Sequence, residues 1–112
     1  MGSFRRGPFG SALTKGIFVK TGYKVYEQKN AIYDNHTLGE YYITTEKFKE
    51  LKGFIVKPYD LIVSCSGATL GRIAEIPKGA EEGIINQALM RMTLFQSAIK
   101  NSFFIKLFRS PY

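Results

Sequence analysis

Cysteine and histidine are nearly missing from this chain, with Cys65 and His36 the single examples of each. One cysteine cannot close an internal disulfide, which fits a reducing compartment. One Cys and one His cannot supply a zinc site either. A cysteine nucleophile needs a histidine-type activator. His36 sits in the polar stretch Tyr33-Asp34-Asn35-His36-Thr37 and Cys65 in an apolar run, so Cys65 reads as a small buried hydrophobe. Long hydrophobic runs are also missing: the longest span three or four residues, as in Leu61-Ile62-Val63, against the roughly 18 needed to cross a bilayer. No apolar signal core follows Met1-Gly2-Ser3-Phe4-Arg5-Arg6, so a soluble, cytoplasmic protein without a membrane partner is expected. No glycine motif that would cradle a cofactor is visible, and no internal repeat or low-complexity tract.

Acid is missing from both ends. Residues 1–26 carry Arg5, Arg6, Lys15, Lys20 and Lys24, and residues 83–112 carry Arg91, Lys100, Lys106 and Arg109, with no Asp or Glu in either segment. The stretch between them holds nine acidic and seven basic residues. The formal charge of +7 and pI near 9.6 therefore come from the two ends. Two basic ends around a slightly acidic centre suggest segments that meet on one phosphate-facing surface; a solvated lysine-rich surface is the plainer reading of the same charges.

What remains is a chain built to fold. Its 112 residues are 45% hydrophobic and 14% aromatic, with nine Phe and seven Tyr, which excludes a disordered basic tail. The length suits one domain with one core that hides roughly two-thirds of the unfolded chain's surface. The opening from Phe4 to Ser11, with two glycines and a proline, reads as a cationic loop. Tyr23 to Gln28 alternates, with Tyr23 and Val25 on a core face and Lys24, Tyr26 and Gln28 on a face open to water. Thr45 reads as the N-cap of a short helix over 46–52 that Gly53 ends.

Strands follow at 54–57, 61–65 and 72–76, the first two joined by the turn Pro58-Tyr59-Asp60, and 78–83 reads as an exposed turn. From Ala88 the residues alternate again, which favours a strand over a helix. A last helix over 101–109, capped by Asn101, stops before Pro111. Together these predict an α+β domain whose mixed, mainly antiparallel twisted sheet is accompanied by short helices.

The stretch Asp60-Leu61-Ile62-Val63-Ser64-Cys65-Ser66-Gly67-Ala68-Thr69-Leu70-Gly71-Arg72-Ile73 resembles a strand-loop-strand of type I restriction–modification specificity subunits, where D-I-hydrophobic-S-x-S-G-T-x-G-R recurs. Four further segments match in the same order: Gly7-Pro8-Phe9-Gly10-Ser11, Tyr26-Glu27-Gln28-Lys29-Asn30, Tyr42-Ile43-Thr44, and Gly83 to Arg91 with Ile84-Ile85-Asn86-Gln87-Ala88 at its centre. The resemblance implies the N-terminal and central part of a single target-recognition domain over 1–112, without the spacer helices or the second recognition domain of a whole subunit. It also implies a non-catalytic reader of double-stranded DNA that directs adenine methylation and cleavage. Methyltransferase and restriction subunits would be its partners, and S-adenosylmethionine, ATP and Mg would belong to them.

The residues carry a physical case beside the resemblance. Phosphates call for cations such as Arg5, Arg6, Lys15 and Lys24, while base edges call for planar or bidentate groups such as Arg72, Arg91, Gln28, Asn30, Asn86 and Gln87. Ser66, Thr69 and the amides of the 67–71 loop suit phosphate. The same glycines also suit a tight hairpin that binds nothing, and Asn86 and Gln87 suit buried backbone groups.

Two other functions fit the composition. The DNA-reading domain of a stand-alone adenine methyltransferase is one, although Ser110-Pro111-Tyr112 lacks the Asn/Asp-Pro-Pro-Tyr form of that chemistry. A basic module for RNA or acidic protein is the other, with Tyr26, Tyr41 and Tyr42 as its candidate exposed aromatics.

Overall fold

Alternating side chains decide how the strands stack. In the computed structural model, which describes residues 2–8, 13, 15–65 and 71–94, the strands are β1 (Gly2–Arg6), β2 (Tyr23–Tyr26), β3 (Tyr42–Ile43), β4 (Ile55–Val56), β5 (Leu61–Ser64), β6 (Ile73–Glu75), β7 (Gly83–Ile85) and β8 (Leu89–Leu94). Two helices, α1 (Gln28–Ile32) and α2 (Thr45–Glu50), and short 3-10 turns at Lys15–Ile17 and Lys52–Phe54 complete the described chain. The strands form two sheets, β1-β8-β5-β6 and β3-β2-β7-β4, in place of the single sheet expected. All pairings are antiparallel except β2 with β7, so the mixed, mainly antiparallel α+β class holds.

The first sheet turns Ile62, Ala74 and Leu89 inward against Tyr26, Val56 and Ile85 of the second, with Ala31 of α1 in the same cluster. Leu61, Val63, Ile73 and Met92 form a buried cluster from the opposite phase of the first sheet. Val25, Ile43 and Ile84, the opposite phase of the second sheet, are joined by Leu13 and Leu51 and by partly buried Tyr23 and Phe48, whose rings stack 3.8 Å apart. Each fully buried aliphatic side chain of this kind contributes roughly 1.5–3 kcal/mol. Strand β2 is therefore covered on both sides, as the parallel partner of β7 must be. The water-facing side expected for it is absent: Lys24 is 1% exposed and Tyr26 0%.

Several local expectations change for nonlocal reasons. Of the opening read as a loop, Phe4 to Arg6 belong to a strand, because β8 offers them a full ladder from Gly2↔Leu94 to Arg6↔Met90, while Phe9 to Ser11 lie outside the described residues. Gly7 leaves that ladder donating its N–H to the Leu89 carbonyl at 2.9 Å. A Cβ on Gly7 would meet the Asn86 carbonyl oxygen at 1.8 Å, so the glycine is required by close approach. Gln28 begins α1 and does not end β2, because Asn30 folds back on the chain: its Oδ1 accepts the Glu27 N–H at 2.7 Å, and its Nδ2 donates to the carbonyls of Asn35 and Leu38 at 2.9 and 2.8 Å. Thr44, not Thr45, caps α2, its Oγ1 accepting the Lys47 N–H at 3.2 Å. The strands read at 61–65 and 72–76 and the strand from Ala88 appear within a residue or two, while the helix read over 101–109 lies outside the described residues. No helix among the described residues is long and apolar enough to cross a membrane.

Two outcomes follow from this packing. A Cβ on Gly83 would lie 2.0 Å from the Lys24 carbonyl oxygen, in the middle of the parallel pairing, whereas one on Gly16 meets nothing within 4 Å. Urea unfolding should show Gly83→Ala less stable by about 1–3 kcal/mol and Gly16→Ala unchanged within about 0.5 kcal/mol; equal stabilities would refute the close approach.

The second concerns alkaline pH. Burial pushes the Tyr26 phenol up to about 12, with the neighbouring Glu81 and Tyr42 acting in the same direction, and the phenol donates to the Glu81 carbonyl at 2.6 Å. Because the folded value lies above the free value of 10.0, this tyrosine's contribution is full below pH 10.0 and is lost as pH rises through about 12. Unfolding measured across that window should lose stability more steeply in the native chain than in Tyr26→Phe, and parallel profiles would contradict the assignment.

Candidate nucleic-acid interface

Segments far apart in sequence are tied together at one end of the two sheets. The Tyr26 carbonyl, last of β2, accepts the Asn86 N–H at 3.0 Å, and Asn86 opens the short turn from β7 into β8. Within that turn the Asn86 side-chain oxygen accepts the Ala88 N–H at 3.0 Å, so the asparagine shapes its own loop. The Ala88 carbonyl then accepts the Cys65 N–H at 2.9 Å, just past the end of β5. Ser64, the last residue of β5, takes a hydrogen bond on its Oγ from Gln28 Nε2 at 3.3 Å. Its main chain bonds Gly71 and Arg72 at 2.9 and 2.8 Å. Four of the five segments that carry the family resemblance, those at Gly7, Gln28, Ser64–Arg72 and Asn86, thus share one hydrogen-bonded junction.

A cleft of about 600 Å³ opens beside this junction. Its polar lining is Glu27, Gln28, Lys29 and Asn86, and its apolar wall is Ile32, Tyr33 and Leu38. Tyr33 is 70% exposed. Burial raises the Glu27 carboxyl above the usual carboxylate range, against the lowering pull of Lys29 and Lys24. One of its oxygens, Oε2, is shielded from water without a hydrogen-bond partner.

The residues read from the sequence divide by position. Gln28 and Asn86 line the cleft, Gln87 is exposed on the turn beside it, and Arg6 is exposed at the end of β1, opposite Met90 and next to Gly7. Arg72 is exposed and donates from Nη2 to the Ile32 carbonyl, which the end of α1 leaves without a helical partner. Arg91 is half-buried and donates from Nη1 to the Ile55 carbonyl, tying β8 to β4 across the two sheets. Arg5 lies opposite Arg91 on β1.

Lys24 and Asn30 are turned inward. Lys24 Nζ stands 3.7 Å from a Glu81 carboxylate oxygen and 5.5 Å from the Tyr26 ring centroid, and Asn30 spends its amide on the loop after α1. Neither is on the accessible surface, contrary to the expectation that placed them against DNA. Lys15 lies in the first 3-10 turn, and Ser66 and Thr69 lie outside the described residues.

Sequence reasoning passed over Lys29 and Tyr33 as site residues; the signal was their place within one helical turn of Gln28, visible only once α1 is recognised. Of the aromatics read as exposed, Tyr26 is buried and Tyr42 half-buried, while Tyr41 is 38% exposed and packs its ring 4.6 Å from Phe18. Among the described residues no group of His, Cys, Asp and Glu is arranged to hold a metal ion.

Two solved structures share this architecture. The HsdS subunit from Thermoanaerobacter tengcongensis aligns over 96% of this chain with a TM-score of 0.65 at 12% sequence identity. A structure described for complex assembly and conformational transition of the type I R-M system aligns over 96% with a TM-score of 0.63, also at 12% identity. The chain spans 24% and 27% of the length of those two chains. No family model and no curated protein matches it. At this identity the likeness is one of fold, and the two-sheet α+β unit described above is the fold of a part of an HsdS specificity subunit.

Proposed function

We propose that this chain reads double-stranded DNA as a target-recognition domain of a type I restriction–modification specificity subunit. Methyltransferase and restriction subunits would carry out adenine methylation and cleavage with their own S-adenosylmethionine, ATP and Mg. The chain itself would be non-catalytic and act in the cytoplasm. The observation that supports this most is the junction of Gln28, Ser64, Arg72 and Asn86 at one end of a fold shared with an HsdS subunit. Gln28, Asn86 and Arg72 carry amide and guanidinium groups, which are side chains that pair with base edges.

Within this reading the two arginines take different parts. Arg72 is exposed and held by one hydrogen bond among the described residues, to the Ile32 carbonyl, so part of its side-chain entropy is already spent. Gln87, exposed at the tip of the turn, and the Asn86 and Gln28 amides are the remaining base-reading groups. Lys29 and Arg6 serve phosphates, which need charge more than shape. Arg91 is reassigned from base reading to joining the sheets at Ile55.

The test is to select the preferred duplex from a random library and then compare variants on that duplex and on random DNA. Arg72→Ala should cost about 1–3 kcal/mol on the selected duplex and much less on random DNA, relaxing one position of the site. Lys29→Ala should weaken both alike and reduce the salt slope by about one. Arg91→Ala should instead lower unfolding stability by about 1–3 kcal/mol, since it strands the Ile55 carbonyl. If a folded Arg72→Ala protein weakens selected and random duplexes by one common factor, base reading by this end of the molecule is wrong.

A further inference from the structure

Arg5 on β1 and Arg91 on β8 stand directly opposite each other in the ladder, so their side chains leave the sheet on the same face. Like charges in that arrangement repel, and a sheet that pairs them needs compensation. Both guanidinium groups come down on the same short segment. Arg5 lies over the Phe54 ring at 4.8 Å from its centroid, and its Nη2 would be 2.9 Å from a Cβ on Gly53. Arg91 reaches the Ile55 carbonyl from Nη1.

Among the described residues neither arginine has a carboxylate partner. Asp60 is engaged by the Lys57 N–H and the Thr93 hydroxyl, both at 2.8 Å. Arg91 Nε is buried without a hydrogen-bond partner among the described residues, and the side chain as a whole is half-buried. Lys52 and Lys57, both exposed, flank the same segment and add charge of the same sign.

We propose that Arg5 and Arg91 are the two arms of a phosphate-binding site. Its natural occupant is a backbone phosphate of duplex DNA, and that part of the assignment rests on the function proposed above. One phosphate accepts from two guanidinium forks at once and cancels the repulsion between them, which a neutral ligand cannot do. Arg6, the next residue on the strand, points to the opposite face, so this site is separate from the one beside the α1 cleft.

The experiment uses the whole chain, inorganic phosphate and a duplex of random sequence, with Arg5→Gln as the main variant because Arg5 is exposed and its loss leaves the Arg91 anchor in place. Lys78→Gln, in the exposed turn after β6, controls for net charge. Inorganic phosphate in the millimolar range should raise the thermal midpoint of the native chain and of Lys78→Gln but not that of Arg5→Gln. On duplex DNA, Arg5→Gln should reduce the salt slope by about one, while Lys78→Gln keeps it.

A midpoint that phosphate leaves unmoved in the native chain, or moves equally in Arg5→Gln, overturns the site. An unchanged salt slope in Arg5→Gln, with the native chain still binding duplex, overturns the DNA phosphate as occupant and leaves the DNA-reading function standing. Phosphate stabilisation that depends on Arg5 in a chain with no affinity for duplex supports the anion site and sinks the DNA-reading function instead.

Discussion

The short turn between β7 and β8 is the constraint on which the rest of the structure depends. It must carry the chain from one sheet to the other, since β7 belongs to the second and β8 to the first, and the two sheets must still close on a common core. The turn manages this with few atoms to spare. Asn86 donates its backbone N–H to the Tyr26 carbonyl on the second sheet, and the Ala88 carbonyl accepts from the Cys65 N–H on the first. Gly7 passes so near the Asn86 carbonyl that any side chain there would collide with it. Because the turn bonds to both sheets, the side chains around it inherit positions fixed by two cores, and a site made of rigid neighbours loses less entropy on binding than one made of free loops.

How much of this was legible in the sequence follows from the range of the interactions concerned. Strands β5, β6 and β8 could be read because Leu61-Ile62-Val63, Ile73-Ala74 and Leu89 to Leu94 carry their own alternation or apolar character. Strand β1 could not, because nothing in Phe4-Arg5-Arg6 favours a strand until β8 lies beside it. Gly7 was a punctuation mark in the sequence and a contact in the structure. The alternation of β2 was correct in phase, with Val25 and Tyr26 in different clusters, yet misleading about water. A lysine and a tyrosine were read as a wet face when the second sheet's burial on both sides encloses them. Helix α1 was missed for a related reason: the bonds that hold it run from Asn30 to a loop five and eight residues further on, beyond the reach of periodicity.

The site residues show the same division. Asn30 looked like an amide available for a base edge, and the fold spends every group of that amide on backbone that would otherwise be buried without partners. Gln28, two residues earlier, has the same chemistry but sits where the cleft opens. Residue type nominated both, and only the position of the loop after α1 separates them. Arg72 and Arg91 were alike on paper as charges alternating out of apolar strands. Each answers the cost of an unpaired charge in the same way, by donating to a carbonyl at the end of a neighbouring element. What distinguishes them is that Arg72 makes its bond at the surface and Arg91 makes its bond between two sheets.

That difference bears on how a small fold can combine recognition with attachment. Reading a base edge requires a side chain held within a few tenths of an ångström, and a single hydrogen bond to a helix-end carbonyl supplies that restraint without using the donors the base needs. Attachment to a phosphate tolerates looser geometry and rewards charge, so it suits positions such as Arg5 and Lys29, whose side chains are not enclosed. In the proposed reading the pairing of β1 with β8 would serve the second need in a particular way. It joins the two acid-free segments of the sequence, from opposite ends of the chain, and sets an arginine of one directly against an arginine of the other. A sheet selected only for stability would put a carboxylate or a neutral residue at one of those positions. Keeping two like charges in register costs folding energy that an anionic partner would return on binding, and the duplex proposed as this domain's partner would offer such an anion at every nucleotide.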